Sequence, residues 1–247
     1  MGSLKKMILL APILLLVSCS NTSEGSTIEV NDNISQINLD ISTSKLNIVK
    51  STSNLIISST YSIDTSMDND IYTISSTAKG EDITLEIPDY VTVININATL
   101  LTYLNVDSIT IDTLSIEASS ASLEISKTSI NNFIFNSTFS NEFYINYSTI
   151  FNSDIYAKHA EVFNISNSYL ADFNSTILYA KSNLSRVSFD TCQIEYYRGT
   201  YNIVLDSSRS YNISTNCYQT NNIVTSDESS SYTIDITSTY GSLTIAQ

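Results

Sequence analysis

The residues predict an all-β chain: a single-domain β-solenoid, like a right-handed parallel β-helix, with about ten residues per strand-and-turn unit and a β-sandwich or barrel as the alternative. Three observations carry this expectation. Aliphatic and polar residues alternate with a period of two, as in Ile37-Asn38-Leu39-Asp40-Ile41 and Ile83-Thr84-Leu85-Glu86-Ile87, and no stretch shows helical periodicity. Short apolar-x-apolar units begin near Leu104, Leu114, Leu123, Phe133 and Phe143, and continue less cleanly through Ile155, Ile165, Phe173, Leu184, Ile194, Ile203, Ile213, Ile223, Ile234 and Leu243. Asn-Gly and Asp-Gly dipeptides, the strongest short signal for an antiparallel hairpin, are absent. Stacked units would bury like residues in columns, in courses of about 20 or about 30 residues.

Taken in order, residues 1–18 read as an export signal. Lys5 and Lys6 supply a positive start, and Met7 to Val17 is an unbroken apolar run. A membrane-spanning helix needs about 20 apolar residues, so this run has the length of a signal-peptide core instead. Leu16-Val17-Ser18-Cys19 resembles the lipobox of bacterial lipoprotein signals. The resemblance implies a lipid on the Cys19 thiol and cleavage before it; an ordinary secretory signal with an incidental cysteine is the alternative. Two or more acyl chains hold a protein stably at a membrane where one does not. Ser20 follows the cysteine where an inner-membrane retention signal would favour Asp, which by analogy points to the outer membrane or cell surface. Residues 19–26 form a tether.

Residues 27–247 form the body. Its opening part, 27–100, is less regular; Ile83 to Ile87 followed by Pro88-Asp89-Tyr90 reads as a strand stopped by a proline turn, with a new strand from Val91. Residues 101–247 carry the regular ten-residue step. Ser, Thr and Asn clusters between strands favour turns through local side-chain hydrogen bonds. The last apolar unit, Leu243 to Ile245, would leave an unpaired edge, a hint of self-association unless the strand is covered internally.

Composition excludes several classes. Loss of Lys5 and Lys6 with residues 1–18 takes the formal charge from −14 to −16. Such a body repels nucleic acid and anionic headgroups, so the membrane partner is reached through the lipid. The chain contains 16 Tyr and 8 Phe and is rich in Ile, which separates it from disordered polar sequences.

Chemistry is sparse. There is one histidine, His159, without a second His or Cys at metal-ligand spacing, and it reads as a surface turn residue. Asp68-Asn69-Asp70 could offer oxygens to Ca²⁺ but lacks the glycine and distal Glu of an EF-hand loop, and reads as an acidic turn. No phosphate loop or nucleophile elbow is present. The expectation is a non-enzyme with no cofactor and no metal.

Cys192 and Cys217 stand 25 residues apart, near one course, and are read as either a disulfide or two free thiols. Glu195-Tyr196-Tyr197-Arg198-Gly199-Thr200-Tyr201 is the densest aromatic cluster. Adjacent Tyr196 and Tyr197 must point to opposite faces of a strand. Tyr196, Tyr197, Arg198 and Tyr201 are therefore candidate contacts to a protein or glycan partner, against a reading as an aromatic stack with one edge exposed.

Leu39 to Ile48, Ile83 to Pro88, Glu117 to Ile125 and Thr237 to Ile245 resemble the strand and small-residue-turn units of the "putative adhesin" family of β-solenoids found on envelope proteins. Members usually carry Gly-Ser-Gly at the turns, where Ser, Thr and Asn stand here. The resemblance implies a non-catalytic envelope lipoprotein acting as an adhesin or structural and interaction protein. A carbohydrate-binding or carbohydrate-cleaving β-helix is the alternative, suggested by the tyrosines.

Overall fold

The computed structural model describes residues 25–30, 34–222 and 224–247. The lipobox, Cys19 and most of the 19–26 tether lie outside the described residues, as does Ile223. The chain is all-β, and the described residues contain no helix. In chain order the strands are β1 (Ser26–Val30), β2 (Gln36–Lys50), β3 (Leu55–Ser59), β4 (Asp64–Asp68), β5 (Ile71–Ile87), β6 (Val93–Asp107) and β7 (Thr110–Ser126). They continue as β8 (Ser129–Asn146), β9 (Thr149–Ser166), β10 (Tyr169–Leu205), β11 (Asn212–Asn216), β12 (Gln219–Asn222), β13 (Thr233–Ser238) and β14 (Ser242–Ala246). One sheet joins them in the order β1-β3-β5-β2-β6-β7-β8-β9-β10-β13-β11, with β4, β12 and β14 on its flanks.

Alternation sets which side chains enter the core. In β6, Ile94 and Ile96 are buried in the first half and Leu104 and Val106 in the second, with a register shift between Leu101 and Leu104. Both halves of each long strand thus face the same interior, and the sheet closes around one apolar core with short extra strands at the ends. At this coarse level the barrel alternative fits.

From β6 to β10 the pairing is parallel and nearly constant in register. Ile94, Leu114, Phe133, Ser153 and Phe173 form one column; Val106, Ile125, Ile145, Ile165 and Leu184 form another. A one-residue slip would turn each column to solvent, so the apolar pattern enforces the register. Each buried aliphatic contributes about 1.5–3 kcal/mol relative to exposure.

The turns between successive long strands share a local structure that no glycine supplies. Ser108, Lys127, Tyr147 and Asn167, together with Arg186 inside β10, all have positive φ, between 48° and 59°. That left-handed geometry costs a non-glycine residue about 1–2 kcal/mol. Hydrogen bonds between strands offset it: the backbone N–H groups of Lys127 and Tyr147 donate to the carbonyls of Asn146 and Ser166, each at 3.1 Å. The next residue adds a buried hydroxyl column. Thr128 N–H donates to Ser148 Oγ (3.3 Å) and Ser148 N–H to Ser168 Oγ (3.1 Å), while Ser148 Oγ–H donates to Asn146 O (2.9 Å). Ser148→Ala would leave the buried Thr128 N–H without its acceptor and is expected to cost about 2 kcal/mol. A thermal melt followed by circular dichroism checks this; an unchanged midpoint would remove the column from the account of stability.

The opening part does contain antiparallel pairs, one of them a hairpin. β4 pairs β5, β3 pairs β5 and β1 pairs β3, all antiparallel. The β4–β5 turn needs no Asn-Gly because Asn69 itself adopts positive φ (56°), as asparagine tolerates better than most residues. The expected proline stop is present: β5 ends at Ile87, Val91 N–H donates to Pro88 O (3.1 Å), and β6 begins at Val93.

Strand order at both ends departs from chain order. β2 lies between β5 and β6. β13 lies between β10 and β11, and β14 between β10 and β12. Leu243 to Ile245 is therefore flanked on both sides, and the bare edge foreseen there belongs instead to β11 and β12, whose residues apart from the half-buried Ile213 are polar. Arg209 ties down the connection between β10 and β11. Its guanidinium pairs with Asp190 at 2.7 Å and lies over the rings of Tyr169 (5.1 Å) and Tyr232 (4.4 Å).

Candidate functional site: an exposed aromatic corner

The bend between the two halves of each strand is built on small residues. Ser140, Ala160 and Ala180 sit in register there and are buried. Gly199 and Gly241 continue the run at closer range. A Cβ on Gly199 would stand 2.0 Å from the Ala180 carbonyl oxygen, and one on Gly241 would stand 2.3 Å from the Gly199 carbonyl oxygen. The small residue turns inward and lets backbones meet. The residue beside it turns outward.

Those outward positions carry rings. Phe139 stacks on His159 at 5.2 Å with an interplanar angle of 11°, and His159 stacks on Tyr179 at 4.8 Å and 5°. The separation is set by the strand spacing of about 4.8 Å. Beyond Tyr179 the geometry changes. Tyr197 meets Tyr179 edge to face at 5.7 Å and Tyr240 edge to face at 5.5 Å, and Tyr218 follows Tyr240 at 6.3 Å. Phe139 is 52 % exposed and Tyr218 73 %. Six rings thus run along one corner from β8 to the β11–β12 connection.

Three shallow hollows adjoin the corner, of about 600, 450 and 390 Å³, and Arg198 lines all three. Tyr179, Tyr197 and Tyr240 complete the middle one. His159, Glu161 and Lys181 line the largest. Arg198 and Lys181 are exposed and are absent from the two ion pairs among the described residues, Lys50–Asp89 and Arg209–Asp190.

The sequence-predicted contact cluster is divided by the strand. Tyr197 and Arg198 face out. Tyr196 and Tyr201 face in, at 1 % and 0 % exposure, and stack on each other at 4.1 Å. Burial takes these two rings out of any surface site, and it pushes the Tyr196 hydroxyl up to about 12 and raises that of Tyr201. His159 is not an isolated turn residue but the middle ring of a stack. Phe139, His159 and Tyr179 recur every 20 residues, a signal that a search for aromatic columns would have found.

Cys192 and Cys217 are free thiols, and the register explains why. Cys192 aligns with Ile234 and, one strand further, with Ile213, so Cys217 lies two strands away and four residues along. That offset exceeds the roughly 7 Å limit between bridged Cα atoms. Burial raises the Cys192 thiol well above its ordinary range, and the Cys217 thiol donates to Ile236 O at 3.5 Å. Asp68-Asn69-Asp70 is a hairpin turn in which Asn69 Nδ2 donates to Asp68 Oδ1 at 3.1 Å and Asp70 accepts the Ser35 hydroxyl. Among the described residues no group of three or more His, Cys, Asp or Glu is arranged to hold a metal.

No protein-family model matches the sequence, and no curated protein matches it. Solved structures that align with the chain include a "putative adhesin" from Bacteroides fragilis, at TM-score 0.46 and 8 % identity over 90 % of this chain and 97 % of that one. A "putative cell adhesion protein" from Clostridium sporogenes aligns at TM-score 0.29 and 9 % identity, over 91 % and 99 % of the two chains. A "putative lipid binding protein" from Parabacteroides distasonis aligns at TM-score 0.32 and 9 % identity, over 91 % and 97 %. At such distances the function has to be read from this chain's own side chains.

Proposed function

We propose that the protein is a non-catalytic, adhesin-like binding protein of the cell envelope, held to the membrane by a lipid on Cys19, and that the aromatic corner is its contact surface. The observation that carries the binding role is the unbroken line of six rings, most of them exposed, running beside Arg198. Exposed aromatic patches beside arginine mark recognition surfaces. The anchor rests on the lipobox-like Leu16-Val17-Ser18-Cys19, and the outer-membrane or surface location on Ser20. The body is a solenoid with courses of about 20 residues; its support is the near-constant offset of 19 or 20 residues along the parallel columns.

A solenoid suits this role because it turns one outward position per course into a line of identical spacing. Replacing Tyr179, Tyr197 and Tyr240 together by Ser is expected to reduce attachment of expressing cells to a mucin-coated surface at least tenfold. Protease treatment of the same intact cells should remove the wild-type body. Attachment that survives the triple substitution would dismiss the corner as the contact surface, and full protease protection would place the body inside the envelope.

A further inference from the structure

We infer that the aromatic corner binds a carboxylated saccharide, with the sugar ring in the hollow between Tyr179, Tyr197 and Tyr240 and its carboxylate on Arg198 and Lys181. This rests on the reading of the corner as the contact surface. Four observations lead to it.

First, the rings differ along the corner. Phe139, His159 and Tyr179 are parallel and cover one another's faces. Tyr197 stands at 71° to Tyr179 and at 82° to Tyr240, so this part of the line opens its rings into a hollow of about 450 Å³. That lies within the range of small-ligand sites, about 300–1,000 Å³. The apolar face of a pyranose packs on such rings, and phenol hydroxyls can bond its rim.

Second, the cation is placed and uncommitted. Arg198 lines all three hollows and has no ion pair or hydrogen bond within the described molecule. Arg209, the other arginine at this end, is fully engaged by Asp190, Phe189 O and two tyrosine rings. A guanidinium presents a planar fork that matches a carboxylate with two parallel hydrogen bonds.

Third, Lys181 shares the largest hollow with Arg198, giving a local positive pair on a chain whose formal charge is −14. Glu161 lines the same hollow and can accept sugar hydroxyls.

Fourth, the same overall negative charge selects among anionic glycans. A densely sulfated polymer would be repelled by the body along its length more strongly than a saccharide with at most one carboxylate per residue, which meets Arg198 and Lys181 with Glu161 beside them. Uronic and sialic acids have this chemistry in common.

Binding of oligogalacturonate and of its methyl ester, and of sialyllactose and lactose, to the full-length protein in detergent tests the inference. At least one acid is expected to bind about tenfold or more tightly than its neutral counterpart. Arg198→Gln is expected to bring the acid down to the neutral level without changing the circular dichroism spectrum, and Tyr197→Ala to weaken both. Equal binding of acid and neutral forms, or an acid preference that survives Arg198→Gln, overturns the carboxylate assignment. If neither form binds although the triple tyrosine variant has lost attachment, the ligand is not a saccharide and the inference falls while the contact surface stands. If attachment is unaffected by that variant, the contact surface itself falls.

Discussion

Gly199→Ala is expected to lower the stability of the fold by about 3 kcal/mol, at the upper end of overpacking costs. The added Cβ would stand 2.0 Å from the Ala180 carbonyl oxygen, 3.0 Å from its carbonyl carbon and 3.2 Å from its nitrogen. All three are backbone atoms of a strand locked in register, so no side chain can move aside. For a chain of this size the midpoint of thermal unfolding should fall by roughly 6–12 °C. The same displacement would separate Tyr179 from Tyr197, so near-ultraviolet circular dichroism of the tyrosines should change as well. Gly80→Ala provides the contrast. Gly80 has φ +74° but nothing within 4 Å of an added Cβ, so only the left-handed strain of about 1–2 kcal/mol applies. Equal midpoints for Gly199→Ala and the unsubstituted protein would refute the close approach of backbones at the corner.

Phe143→Ala is expected to cost still more, about 3–5 kcal/mol. The ring is fully buried, stacked on Phe163 at 4.5 Å and edge to face with Phe135 at 5.1 Å. Truncation removes the transfer energy of the ring and leaves a cavity between strands that cannot close without breaking register. Pairing of the two stacked rings adds about 0.5–1.5 kcal/mol beyond burial. The double substitution Phe143→Ala with Phe163→Ala should therefore cost less than the two single changes added together, because the second removal forfeits a stack already lost. Urea unfolding of the four proteins measures the difference, and strict additivity would show that the stack contributes nothing of its own.

Much of the architecture could be read from the residues because the core signal is redundant. Ile94, Leu114 and Phe133 occupy one column, and each sits at a period-two apolar position in the sequence. The expected all-β class and the proline stop at Pro88 both follow from such local patterns. The hairpin of β4 and β5 was illegible for a specific reason: its turn position is held by Asn69, which tolerates positive φ without a following glycine. At later turns held by Lys127 and Tyr147, bonds to the neighbouring strand sustain the left-handed geometry, a tertiary cause that no dipeptide announces. The candidate site was legible in half. Alternation separated Tyr197 from Tyr196, but which of the two faced solvent depended on the register with β13. Tyr201 and Tyr196 belong to the core, where they face each other across the bend between the two halves of the course. For the cysteines, chain separation left a disulfide and two free thiols both open; the free thiols follow from spatial order, since β13 lies between β10 and β11.

That insertion has a kinetic meaning. In chain order β11 and β12 precede β13 and β14, yet the later pair occupies the inner place. Until β13 and β14 arrive, the flank of β10 that receives them has no permanent neighbour. Completing the sheet therefore requires a later segment to take a place between earlier ones. The corresponding segment of a second copy carries the same residues, the geometry from which exchange of identical elements between molecules arises in general.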